Sequence, residues 1–172
     1  LNDTVPEDTS TEKSRWKIAL ARLHVVNTSA HVHMPGDTLR LRVLIGNGRA
    51  ENGHFDLAPG NYSLSRLRIK GGSLKYDNNF TPTTSGLDPN HVALDSLTLG
   101  IDSFSYRGSI LAMALRECRF HEKCGLSLTS LVGRLSLDSV RLNIPTLALS
   151  TRHSSLNARV AMDINAFDDK FP

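Results

Sequence analysis

Two ten-residue stretches of this chain, VALDSLTLGI at 92–101 and LSLDSVRLNI at 135–144, share one rhythm. Each sets apolar side chains two apart, inserts an extra spacer, and resumes the alternation: Val92, Leu94, then Leu97, Leu99 and Ile101; Leu135, Leu137, then Val140, Leu142 and Ile144. Period-two alternation is the mark of a strand with one apolar face. A single added residue should turn every later side chain to the opposite face. Two arrangements avoid that. A β-bulge absorbs the residue and keeps both halves on one side, or the strand turns a corner and passes to a second layer.

The same pattern fits Ile18, Leu20, Leu23 and Val25; Tyr62, Leu64, Leu67 and Ile69; and Met113, Leu115, Cys118 and Phe120. Plain alternation runs through Leu39, Leu41, Val43 and Ile45, and through Leu156, Ala158, Val160, Met162 and Ile164. The intervals between copies are uneven, so this is strand architecture rather than a strict tandem repeat. SILAMALRECRF, 109–120, is rich in helix formers. Its apolar residues nevertheless alternate, and the pattern predicts a strand.

Turn chemistry falls between these runs, at MPGD (34–37), GNGRAENG (46–53), APGN (58–61), KGG (70–72), YDNN (76–79), GLDPN (86–90) and RG (107–108). The expected fold is all-β: a curled antiparallel meander of bent strands, either closed over its own core as a β-sandwich or barrel, or left open as an apolar groove. The first fifteen residues are polar and aperiodic, and are expected to form a linker or arm. Residues 16–172 are expected to form a single β domain. The chain opens at Leu1 without a signal-peptide layout and reads as a piece of a longer protein.

With 172 residues, a sizeable core is possible. The net charge of +3 is dispersed along the chain rather than clustered, which argues against nucleic-acid binding. No run reaches the roughly 18 apolar residues of a membrane-spanning helix.

The succession GGSLKYD (71–77), GLDPNHVALDSLTLGIDSFSY (86–106), HEKCGLSLTSLVGRLSLDSVRL (121–142) and IPTLALSTRHSSLNARVAMD (144–163) resembles the periplasmic portion of the TamB family, translocation-and-assembly-module proteins of the bacterial envelope, in its Bacteroidetes form. The resemblance covers about Trp16 to Phe167, and its most specific parts are LDPNH and TLALSTRHSSLNARVAMD. It implies an AsmA-like protein held in the inner membrane by an N-terminal helix. Such a protein crosses the periplasm as a folded-over sheet with an apolar groove and works with an Omp85-type outer-membrane barrel. The implied role is outer-membrane biogenesis and phospholipid transport between the two membranes. Neither the anchor nor a barrel-contacting region is recognisable here.

On that reading the partners are phospholipid acyl chains, the barrel through the full-length protein, and adjacent β segments of the same chain. The expected groove lining is Val92, Leu94, Leu97, Leu99, Ile101, Leu135, Leu137, Val140, Leu142, Ile144, Leu147 and Leu149. The same residues could instead fill a closed core. A β-sandwich binding module for glycan or protein, and a spacer that carries nothing, are the alternatives. The few aromatic residues, one Trp, three Tyr and six Phe, count against the sandwich module.

Other chemistry is sparse. Cys118 and Cys124 flank HEK and could form a disulfide in an oxidising compartment, or remain a core thiol and a free thiol at a turn. Cys118, His121 and Cys124 lack the fourth ligand of a zinc site. His31 and His33 fall on one face of an extended segment, with His24 nearby, and read as a surface pair rather than a site. GNG lacks the spacing of a nucleotide loop. Asn2, Asn27, Asn61 and Asn79 match the glycosylation triplet, of which roughly two arise by chance in so Asn-, Ser- and Thr-rich a chain. His153 beside Ser154 and Ser155 is sequence adjacency, not a triad. No catalytic constellation, metal site or cofactor is expected.

Overall fold

A computed structural model describes residues 16–33, 39–78 and 81–164. The expected arm at 1–15 and the MPGD turn lie outside the described residues. Eight strands form one antiparallel sheet in strict sequence order. They are β1 (Lys17–His33), β2 (Leu39–Asp56), β3 (Asn61–Asn78), β4 (His91–Arg107), β5 (Ile110–Glu122), β6 (Ser127–Leu137), β7 (Arg141–Thr151) and β8 (Ser155–Asp163). The described strands do not close: β1 pairs with β2, β8 with β7, and neither with the other. The meander is open, and no second layer is present among the described residues. The closed sandwich is thereby set aside. SILAMALRECRF is strand, because its alternating Leu111, Met113, Leu115, Cys118 and Phe120 each find an apolar neighbour across the ladder.

Two expected turns are not turns, and of the expected YDNN turn, residues 76–78 end β3 while Asn79 lies outside the described residues. GNGRAENG lies wholly within β2, and KGG within β3. Glycine and asparagine serve here to let extended strands take an extra residue. Positive φ occurs at Asn27 (48°), Asn52 (52°), Gly71 (65°) and Ser96 (54°), each inside a strand. APGN, GLDPN and the RG pair do fall in the connections between strands.

The extra residues line up across neighbouring strands. One line passes between Leu20 and Leu23, Ala50 and Gly53, Leu64 and Leu67, Ile101 and Phe104, and Leu115 and Cys118. A second passes between Val25 and Thr28, Ile45 and Gly48, Ile69 and Gly72, and Leu94 and Leu97. In β1 to β3 the extra residues face one another, so pairing resumes in unchanged register. On the first line this holds to β4 as well; at β4 on the second line, and at β5 on the first, they are staggered and the register shifts. A bulge bends its strand, and aligned bulges crease the sheet.

The creases bend toward the apolar side. A Cβ built on Gly48 would lie 2.7 Å from Val25 Cγ2 and 2.8 Å from Ile45 Cγ2, and one on Gly72 would lie 3.2 Å from Ile69 Cγ2. Side chains three apart in a strand thus converge on one face, which is therefore the inside of the bend. Only small residues fit there, and Gly48, Ala50, Gly53 and Gly72 are among the few buried residues of the sheet.

On the outer face, Arg68 braces the first crease. Its Nη1 donates to the carbonyls of Leu67 (2.8 Å) and Ile101 (2.7 Å), and its Nη2 to Asp102. Arg116 reaches the other oxygen of that carboxylate at 3.4 Å.

Candidate functional site

Residues directly opposite in a ladder share a face, so the register assigns each apolar side chain to a side. One row runs Ile18, Phe55, Tyr62, Tyr106, Leu111, Leu137, Leu142 and Met162, one residue from every strand. Another runs Leu23, Ala50, Leu67, Ile101, Leu115, Gly133, Leu147 and Ala158. Ile101 and Phe104, three apart in β4, oppose Leu115 and Met113, two apart in β5. Both sides of the crease therefore present apolar residues in one direction. The same logic joins Leu115 to Cys118, through Ile101 and Leu99.

Of the expected lining, Val92, Leu94, Leu97, Leu99 and Ile101 of β4, Leu135 and Leu137 of β6, and Leu142, Ile144, Leu147 and Leu149 of β7 all share this face. Val140 departs from it. The second copy of the opening motif is not one bent strand: β6 ends at Leu137, β7 begins at Arg141, and Val140 sits in the hairpin between them, 49% exposed. Asp138 makes that turn by accepting the N–H groups of Val140 (2.8 Å) and Arg141 (2.7 Å). The two near-identical stretches differ because Asp138 ends a strand in one, whereas Asp95 and Ser96 form a bulge within a continuous strand in the other.

Sequence reasoning missed three features of this face. Phe55, Tyr62 and Tyr106 line up at one end, with Tyr62 and Tyr106 stacked at 6.1 Å and 16°, and Phe55 and Tyr62 6.3 Å apart. Gly48, Ala50 and Gly53 belong to the face although their segment reads as a turn. Glu122 enters the face opposite Leu94 and is 3% exposed. Its carboxylate accepts the N–H of Cys124 at 2.5 Å and of Ala93 at 3.2 Å, tying the β5–β6 hairpin to β4. Hydrogen bonds from Cys124, followed by those of nearby N–H groups, hold this carboxyl below its ordinary range.

The face has little cover. Ile18, Leu23 and Leu156 are 47%, 46% and 52% exposed. Most of the remaining lining is half-buried by its own neighbours in the sheet. Strands of 18 residues in β2 and β3 extend roughly 60 Å, and eight strands side by side span roughly 34 Å. Patches of a few hundred Å² are the usual limit on monomeric soluble proteins.

The opposite face is mainly polar, apart from exposed Val26, Leu44, Ile110 and Val132, and carries ion pairs such as Arg66–Glu51 (2.8 Å) and Arg119–Glu117 (2.6 Å). Its shallow depressions include one of about 700 Å³ floored by Ala112 and Ala114 and edged by Asp102, Arg116 and Arg134.

The possible disulfide is not formed: Cys118 and Cys124 are both free thiols. Cys118 lies four residues before the end of β5, roughly 13 Å along the strand from Glu122, whereas a disulfide needs Cα atoms within about 7 Å. Cys118 contributes to the apolar face, and burial raises its thiol pKa. His121 bonds Ser127 at 2.7 Å instead of joining the cysteines. His24 pairs with Arg49 in the ladder, well away from His31 and His33.

Comparison with family models, with characterised proteins and with solved structures found no match.

Proposed function

We propose that this chain is a segment of a TamB-like, AsmA-like envelope protein whose apolar face carries phospholipid acyl chains between the inner and outer membranes of a bacterium. The observation that carries the reading is an apolar face that keeps one direction through both creases and reaches all eight strands, interrupted at Glu122, with no covering layer among the described residues. Each methylene moved from water onto such a face contributes about 0.8 kcal/mol. Ten methylenes would therefore supply about 8 kcal/mol before the cost of ordering the chain is deducted. A contact of this kind needs no particular head group, and it lets a chain slide, because every row offers much the same surface.

On this reading the domain works in the periplasm and performs no chemistry. Further β segments of the same protein extend the sheet, and an Omp85-type outer-membrane barrel receives the lipid from the full-length protein. The sequence resemblance supports that setting. Among the described residues no strand pairs with the outer edges of β1 and β8, which suits the continuation of the sheet, since an exposed edge is a template for another strand.

The test is to express the chain in a bacterial envelope, purify it without detergent, and analyse it by native mass spectrometry with lipid extraction. Co-purified phospholipid is expected. Leu97→Glu and Leu142→Glu should lose it while keeping the strand signal in circular dichroism. A lipid-free domain that also fails to take up added phospholipid would overturn the reading.

A further inference from the structure

We propose that the corner of the polar face built by His31, His33, Arg40, Arg42 and Lys75 binds a phosphate-class oxyanion. The residues come from three strands and are gathered by register. His31, Arg42 and Lys75 form one row, and His33, Arg40 and Asp77 the next. Alternation puts both rows on the face opposite Val32, Leu41 and Tyr76. Together they line a depression of about 260 Å³.

The charge there is one-sided. Asp77 is the only carboxylate lining the depression, and Lys75 engages it at 3.2 Å. Some cations elsewhere on this face are matched locally, as Arg66 is with Glu51 and Arg68 and Arg116 are with Asp102, and unmatched ones such as Arg49 and Arg134 stand apart in the ladder rather than in adjacent rows of one corner. Among the described residues, Arg40 and Arg42 have no carboxylate partner. Two guanidinium forks within about 7 Å of one another along a strand match an oxyanion's several acceptor atoms. The imidazoles of His31 and His33 add ring N–H donors from the neighbouring strand. Neighbouring strands lie about 4.8 Å apart, so an ion seated between β1 and β2 meets donors from both.

The ligand chemistry is that of a phosphate group, whether free or the phosphomonoester head group of a lipid. The inference is independent of what covers the apolar face, because none of these side chains belongs to it.

Inorganic phosphate is the probe, titrated into the whole chain at constant ionic strength while the ring signals of His31 and His33 are followed by NMR. Saturable shifts are expected with phosphate and not with chloride. Arg42→Gln should weaken the affinity roughly tenfold, the loss of one charge-assisted contact. Arg22→Gln, on the same face but outside the corner, should change nothing. Sedimentation with phosphatidylcholine vesicles containing phosphatidic acid assigns the source. Binding that is lost in Arg40→Gln/Arg42→Gln marks a lipid head group, and phosphate binding without vesicle binding marks a soluble anion. Equal shifts with chloride, or unchanged phosphate affinity in the double variant, would overturn the proposal.

Discussion

Leu94 and Leu97 are three residues apart in β4, yet they face the same side of the sheet, because their partners Leu74 and Gly72 are only two apart in β3. The added residue is taken up by Ser96, with a φ of 54°, and the apolar alternation resumes beyond it without changing sides. The bend this produces depends on small residues at the inside of the fold.

Gly48→Val tests that dependence directly. A Cβ there meets Val25 and Ile45 within 2.8 Å, and overpacking of this kind costs roughly 1–3 kcal/mol. The urea midpoint should fall accordingly. An unchanged midpoint would mean that the crease is not close-packed.

An uncovered face also makes an unusual prediction about truncation. Leu156 is 52% exposed on the apolar face, and Leu156→Ala should cost less than about 1 kcal/mol, because little area is returned to water. Leu128 is 6% exposed, and Leu128→Ala should cost roughly 2–5 kcal/mol, as in an ordinary core. Similar losses at both positions, measured by denaturant unfolding, would show that something covers Leu156.

Two buried carboxylates set the response to acid. Asp88 accepts the N–H groups of Thr84 (2.8 Å) and Asn90 (3.0 Å) and faces His91 Nδ1 at 3.1 Å. The Thr84 contact above all lowers its pKa, and Cys124 does the same for Glu122. Since both folded values lie below the ordinary 3.8 and 4.5, the ionised carboxylates contribute fully above those ordinary values. The contribution is lost as pH falls through the lower folded values. Amide exchange at Thr84, Asn90 and Cys124 should stay slow at pH 5 and accelerate only in stronger acid. In Asp88→Asn that transition should vanish at Thr84 and Asn90 while persisting at Cys124.

The thiols should separate by rate. Cys124 is exposed at a turn, and Cys118 is half-buried with a raised pKa. A maleimide reagent at neutral pH should label Cys124 well before Cys118, since the thiolate is the reactive form. Mild oxidant should leave the monomer mass unchanged. A loss of two hydrogens from the monomer would show that the hairpin opens far enough to join them.

Arg68→Ala should cost roughly 1–3 kcal/mol, because the carbonyl of Ile101 at the first crease loses its donor. Arg68→Lys should recover only part of the loss, since an ammonium cannot fork across two carbonyls and Asp102. Thermal unfolding of the two variants against the parent chain reads both effects.

Local patterning makes this chain a set of strands with one apolar side. A period of two is a local property, written in residues such as Leu94, Leu97 and Leu99, and it survives each added residue as a visible pattern. What GNGRAENG becomes was not local. Glycine and asparagine permit both a hairpin turn and a bulge inside a strand, and the choice fell to the bulge because β1 and β3 supply matching partners on either side. For the same reason LSLDSVRLNI folds as a hairpin while VALDSLTLGI stays one strand. That the described strands stay open emerges from long-range assembly, since closure depends on whether β1 and β8 meet, and no residue in either strand encodes that alone. The same assembly sets His31 and His33 beside Arg40, Arg42 and Lys75. Register between strands, which no single stretch of sequence contains, brings them to one corner.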